Sequence, residues 1–198
     1  MAKPATLLAL IGWLWQASQG QPHENAVLVI FGLALLFSLA GDVLLLFPRR
    51  FFMAGLGAFL TAHIFYIFAF NQSPPPFQAG SLLLLAGVAG LFYLIRRRVM
   101  HGLQQRSGPA LLRIAVSIYS MVLSLMLLSA LLTLLRPDWL PAAAGLVSLG
   151  AVLFFCSDSL LALDRFDHPL PYGQLFVHIT YHLGQIALVG GALLRYAR

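Results

Sequence analysis

Two carboxylates stand where a sequence this apolar should not carry them. Asp42 lies in the run Phe37-Ser38-Leu39-Ala40-Gly41-Asp42-Val43-Leu44-Leu45-Leu46-Phe47, and Asp158 in Leu153-Phe154-Phe155-Cys156-Ser157-Asp158-Ser159-Leu160-Leu161-Ala162-Leu163. A carboxylate inside a membrane span costs roughly 2.5 to 3.5 kcal/mol on insertion scales, so such groups mark proton relays, ion sites or catalytic centres. Polar side chains recur near them. His178, Tyr181, His182 and Gln185 follow the i, i+3, i+4, i+7 spacing of one helix face. His63 and Tyr66 share a face of another segment, and Ser117, Tyr119 and Ser120 stand near the start of a third. His178 and His182 also form H-x-x-x-H, which can hold zinc from one helix face if a third ligand such as His63 or Asp158 joins them.

The elements that position these groups follow from composition. The 198 residues are 60% hydrophobic and 9% charged, against about 25% charged in a soluble domain. The expectation is one all-α domain over residues 1–198, a polytopic transmembrane bundle with no separate soluble domain. With a single cysteine, Cys156, no intrachain disulfide forms. The net charge of +6 comes from arginines at segment ends and is no nucleic-acid footprint. A span needs about 20 apolar residues. Seven segments are expected, near 4–19, 26–47, 52–70, 77–95, 111–135, 141–163 and 173–195. They are separated at Gln21-Pro22-His23-Glu24-Asn25, Pro48-Arg49-Arg50, Pro74-Pro75-Pro76, the stretch from Arg96 to Gly108, Arg136-Pro137-Asp138, and the stretch from Asp164 to Pro171.

Charge gives orientation. Lys3, Arg49, Arg50, Arg96, Arg97, Arg98, Arg106, Arg113 and Arg165 fall on one side, and Arg136, Arg195 and Arg198 on the other. The first side is expected in the cytoplasm, with the N-terminus inside and the C-terminus outside. Asp42 then precedes Pro48 by six residues and Asp158 precedes Asp164 by six, about 9 Å inside the same boundary. Two acids at one depth on different helices can share a site. Arg96-Arg97-Arg98 reads as an anchor for anionic lipid heads.

The acid-bearing segments also resemble each other. Arg50-Phe51 leads to His63-Ile64-Phe65-Tyr66, and Arg165-Phe166 leads to His178-Ile179-Thr180-Tyr181, with thirteen residues from Arg to His in both. Pro4-Ala5 and Pro109-Ala110 each open an earlier span. A parallel internal repeat, with halves near 1–76 and 77–198, would make Asp42 and Asp158 pseudo-symmetric partners.

Lys3-Pro4-Ala5-Thr6-Leu7-Leu8, Gly41-Asp42-Val43-Leu44-Leu45-Leu46-Phe47-Pro48, Gly55-Leu56-Gly57-Ala58-Phe59-Leu60, Ala62-His63-Ile64-Phe65-Tyr66, Ser157-Asp158 and Tyr181-x-x-Gly184-Gln185 together resemble the YhhN-type lysoplasmalogenase family. Members usually carry eight spans, so the chain is expected to start at the family's second; His182 departs from the family pattern. The resemblance implies hydrolysis of the vinyl-ether bond of alkenyl lysophospholipids, giving a fatty aldehyde and a glycerophospho-alcohol, with no cofactor. It also implies membrane lipid and a lysophospholipid as the partners, no nucleic acid, and a location in the bacterial inner membrane. A vinyl ether resists base and opens by protonation of its β-carbon, so the chemistry asks for one carboxylic acid and one carboxylate. Paired carboxylates meet an oxocarbenium ion in the same way in glycosidases. Asp42 and Asp158 are the expected pair. Tyr119, His63, Tyr66, His178, Tyr181, His182 and Gln185 are expected around the substrate, and Arg50 and Arg165 at its phosphate. Two other readings are a transporter using the acids as proton or cation sites, and a zinc-dependent lipid amidase or esterase using His178 and His182.

Overall fold

A computed structural model describes residues 2–19, 26–105 and 109–197. The expected break at 21–25, the loop residues Arg106, Ser107 and Gly108, and Arg198 lie outside the described residues, as do the side chains of Lys3 and Arg49. The described residues form seven α-helices: α1 Ala2–Ser18, α2 Ala26–Leu45, α3 Pro48–Phe70, α4 Ala79–Gln105, α5 Ala110–Leu132 closed by a 3-10 turn Thr133–Leu135, α6 Pro141–Phe166 and α7 Gly173–Tyr196. No strand occurs among the described residues. Six of the helices are long and apolar enough to cross a membrane. The 17 residues of α1 reach about 26 Å, just short of the roughly 30 Å hydrocarbon core. The protein is an all-helical integral membrane bundle.

Three boundaries differ from the sequence expectation, each for a local reason. The segment expected to end at 95 continues as helix through Arg96, Arg97 and Arg98 to Gln105. Charge ends a membrane span without ending a helix: arginine is a good helix former and no proline intervenes before Pro109. Val99, Gly102 and Leu103 are buried on this extension, and Val99 and Leu103 pack with Val116 and Phe166. The third helix starts at Pro48 rather than 52, because proline suits the first turn of a helix. It bends at Phe51, whose backbone leaves the helical region (φ −118°, ψ 17°). The sixth helix runs on to Phe166. Asp42 therefore sits three residues from the end of its helix and Asp158 eight from the end of its own.

The bundle is built on two close helix pairs, α2 with α3 and α6 with α7. Small residues set the second. A Cβ at Gly150 would meet the Leu188 backbone nitrogen at 2.7 Å, and one at Gly184 would meet the Gly150 carbonyl oxygen at 3.0 Å. The two backbones touch, which is how helices pack where burial from lipid gives little driving force. A Cβ at Gly41 would lie 2.6 Å from the Phe59 ring, so α3 presses its aromatic face against the turn that carries Asp42. Helix α1 packs on α2 and α7; α5 packs on α3 and α6; α4 lies outside, against α5 and α6. Phe31, Tyr66, Phe70, Phe154, Tyr181 and Leu188 form the fully buried centre.

Arg136 ties the end of the bundle remote from most arginines. It is 5% exposed, and its guanidinium donates to the Phe70 carbonyl and to Asn71 Oδ1, both at 2.9 Å. The first bond takes up a carbonyl that the last turn of α3 leaves open, and the second holds the side chain of its capping residue. Burial draws the Arg136 pKa down, against the pull of Asp138.

Candidate functional site

Three helices meet at Asp158. Tyr119 of α5 donates its hydroxyl to Asp158 Oδ2 on α6. His63 of α3 places Nε2 3.1 Å from the Tyr119 oxygen and 3.5 Å from Asp158 Oδ2. With the tyrosine proton directed to the carboxylate, the tyrosine oxygen accepts from His63 Nε2–H, which sets the histidine tautomer. His63 is fully buried, and its ring packs edge-on against Phe154 at 4.9 Å. Its Nδ1 has no hydrogen-bond partner among the described residues.

A second carboxylate lies behind. Tyr181 of α7 donates to Asp42 Oδ2 at 2.8 Å, and Asp42 is 4% exposed. Deeper still, Tyr66 donates to Gln185 Oε1 at 2.8 Å, with both side chains fully buried. Phe59 separates the two centres, its ring edge-on to Phe154 and to Tyr181.

The polar groups close one end of an apolar cleft. Tyr119, Asp158 and Tyr181 line it together with Phe59, and Leu45, Phe52, Leu56, Phe92 and Ile95 form its apolar walls. The space within it open to water is about 70 Å³, so it is a narrow slot rather than a wide chamber. Arg165 also lines it and is exposed, its guanidinium 4.0 Å above the Phe52 ring. A cleft that is apolar along its walls, carboxylate at its inner end and cationic at its rim fits an amphiphile with an anionic head.

The expected site residues thus divide. Asp158, Tyr119, Tyr181 and Arg165 come together on the cleft. Asp42 is not in its lining but is bonded to Tyr181, which is. His63 stands behind Tyr119, and Tyr66 and Gln185 are sealed in the core. The face expected to carry four polar groups splits: Tyr181 and Gln185 point inward, while His178 and His182 lie half-buried at its edge. His178 Nδ1 turns back to the Gln174 carbonyl at 2.5 Å, and its ring lies 6.2 Å from that of His182. Arg50 is exposed over its own neighbour Phe51 at 5.1 Å, away from the cleft lining. No group of three or more His, Cys, Asp or Glu side chains that could hold a metal occurs among the described residues. Ser38 is buried and makes no hydrogen bond to Asp42.

Some of the site had no mark in the sequence. Phe59, Phe52, Phe92 and Ile95 are ordinary apolar residues in apolar helices, and only the packing of α3, α4, α5 and α6 makes them walls. Asp164, inside an expected loop, organises the turn before α7. Its carboxylate accepts from the Leu170 N–H at 2.8 Å and the Gln174 amide at 3.2 Å.

Fold and site together define an integral membrane protein with two tyrosine-held carboxylates, one buried and one facing an apolar cleft. The chain belongs to the YhhN family, whose family model matches residues 1–192. It is 33% identical over 193 residues to human "Lysoplasmalogenase TMEM86B", covering 98% of this chain and 74% of that protein. Human "Lysoplasmalogenase TMEM86A" is 29% identical over 190 residues, 91% of this chain and 73% of its own. A Mycobacterium bovis protein named "Lysoplasmalogenase" is 34% identical over 139 residues, 67% of this chain and 48% of its own. No solved structure matches.

Proposed function

We propose that this chain is a lysoplasmalogenase, hydrolysing the vinyl-ether bond of alkenyl lysophospholipids in the membrane. The observation that carries the reading is Asp158, hydrogen-bonded to Tyr119 at the inner end of an apolar cleft whose rim holds Arg165. The relatives' names agree with it. In this reading Asp158, as the carboxylic acid, gives its proton to the β-carbon of the vinyl ether. The resulting carboxylate faces the oxocarbenium ion. Water adds to the α-carbon and returns a proton to Asp158, and the hemiacetal breaks its bond to the glycerol oxygen, releasing aldehyde and alcohol. Tyr119 and His63 hold the carboxyl group in place. Asp42 is the second carboxylate and acts through Tyr181, whose hydroxyl it orients. Arg165 meets the phosphate; Arg50, off the cleft, is left as a surface charge.

The arginine-rich end that carries Arg165 faces the cytoplasm in this reading, in the inner membrane of a bacterium, following the distribution of Lys and Arg. A parallel repeat of α1–α3 with α5–α7 is supported by packing: each half has a close second and third helix, and its first helix packs on the third helix of the other half. Each acid is then served by the third helix of the opposite half, Asp42 by Tyr181 and Asp158 by His63. The test is incubation of purified protein with alkenyl and acyl lysophospholipids side by side. Aldehyde from the first without fatty acid from the second supports the reading; fatty acid without aldehyde overturns it.

A further inference from the structure

Helix α4 is pinned at both ends and, between them, meets the core at Val88 while leaving a gap beside Gly87. Near its start a Cβ at Gly80 would touch Leu135 at 3.2 Å, and near its end a Cβ at Gly102 would lie 2.0 Å from the Phe166 carbonyl oxygen. Between these points Val88 and Val99 are its buried residues. A Cβ at Gly87 would meet nothing within 4 Å. The gap is a groove open to the bilayer, with Gly87 and Leu83 on one side and Val152 and Cys156 on the other. Its lining is apolar, and Cys156 on α6 is exposed in it. The groove adjoins the cleft across a shared wall. Ile95, Phe155 and Ser159 belong to the walls of both, and Ser159 is the neighbour of Asp158.

Its length is also informative. From Ile95 at the inner end to Leu83 at the outer is twelve residues of helix, about 18 Å. Starting at the depth of the carboxylate, about 9 Å inside the boundary, the groove runs past the midplane of the roughly 30 Å hydrocarbon core to a depth of about 27 Å. We infer that the groove between α4 and α6 is the subsite for the substrate's hydrocarbon chain, entered sideways from the bilayer past Ile95, Phe155 and Ser159, and that its outer half selects long chains. This inference rests on the lysoplasmalogenase reading for the identity of the chain, and on the shared walls for its place. A chain lying there brings the carbons nearest the ether oxygen to Asp158 and leaves the phosphate at Arg165.

Two glycines on the same open helix make the test. Gly87 lines the groove; Gly90, three residues on, does not, and a Cβ there also meets nothing within 4 Å. In vesicles, Gly87→Phe is expected to lower kcat/KM at least about tenfold for an alkenyl lysophospholipid of about sixteen carbons, the loss of roughly two buried methylenes. For a chain of about six carbons, which ends short of Gly87, the change is within about twofold. Gly90→Phe leaves both within about twofold. An equal loss on both chains, no loss on the long chain, or the same loss from Gly90→Phe overturns the groove. A second readout does not depend on turnover. Cys156, the single cysteine, is labelled by a bilayer-soluble maleimide, with and without a non-hydrolysable saturated alkyl lysophospholipid. Slower labelling with the long-chain lipid and not with the short supports the inference. Equal labelling with either, or equal protection by diacyl lipid, assigns the groove to bulk lipid and overturns it. Absence of aldehyde from every alkenyl substrate would instead refute the proposed reaction, while the Cys156 result still decides the groove.

Discussion

Removing one oxygen from Tyr119 isolates the part of the site that geometry defines best. Tyr119→Phe deletes the hydroxyl that donates to Asp158 Oδ2 and sits 3.1 Å from His63 Nε2. It leaves the ring, and so the edge-on packing against His63 at 5.5 Å, in place. A hydrogen bond to a charged group is worth about 1.5 to 3 kcal/mol. At about 1.36 kcal/mol per factor of ten, its full loss from the transition state lowers kcat/KM by roughly ten- to a hundred-and-fifty-fold. The ring fills the same space, so the stability cost should be about 1 to 3 kcal/mol, that of leaving the buried His63 Nε2 without its hydrogen-bond partner. The assay is aldehyde release by purified protein in vesicles, with thermal unfolding followed in parallel. His63→Gln should be coupled: with the tyrosine hydroxyl gone, changing the histidine adds less than it does in the parent, since both act on one carboxyl group. Activity of Tyr119→Phe within about twofold of the parent, or strictly additive losses in the double variant, would refute the idea that Tyr119 and His63 hold Asp158 for the reaction.

Three further outcomes follow from other parts of the molecule. Arg165→Gln should raise KM about tenfold with kcat within about threefold, because a rim cation binds the head group alike in ground and transition states; a fall in kcat with KM unchanged would contradict that role. Gly184→Leu should abolish folding or cost at least about 3 kcal/mol in thermal unfolding, since its Cβ already meets the Gly150 carbonyl oxygen at 3.0 Å. Arg136→Met should lower stability by about 2 kcal/mol through loss of its bonds to Phe70 and Asn71 while aldehyde release per folded molecule stays the same; lower activity at equal stability would show that this end of the bundle reaches the site.

The two acids could be read in the sequence because a charge is rare in an apolar run and each lies within one. Tyr119, His63 and Arg165 were legible by their chemistry too, yet their partners were not. Helical spacing put Tyr181 and Gln185 with His178 and His182, but which half of that face turns inward is decided by the Gly150–Gly184 contact with α6, a pairing between residues 34 apart in sequence. The same holds for Asp42. Its six residues to Pro48 matched the six from Asp158 to Asp164, but α2 stops at Leu45 and α6 continues to Phe166, so the two acids end in different settings. The cleft and groove were invisible for a plainer reason. Walls such as Phe59, Ile95 and Phe155 differ from other membrane apolar residues only by what stands opposite them, and the extension of α4 that packs on Val116 and Phe166 hides in a run of arginines that usually ends a span.

The central claim is that Asp158 transfers the proton and Asp42 supports it through Tyr181. Its most direct measurement is aldehyde release from an alkenyl lysophospholipid by Asp158→Asn, Asp42→Asn, Tyr181→Phe and the Asp42→Asn/Tyr181→Phe pair, each verified as folded by thermal unfolding. Asp158→Asn should lose at least about a hundredfold in kcat. Asp42→Asn and Tyr181→Phe should each lose less, and the pair no more than the worse of the two. Near-parental aldehyde release by folded Asp158→Asn would contradict the account.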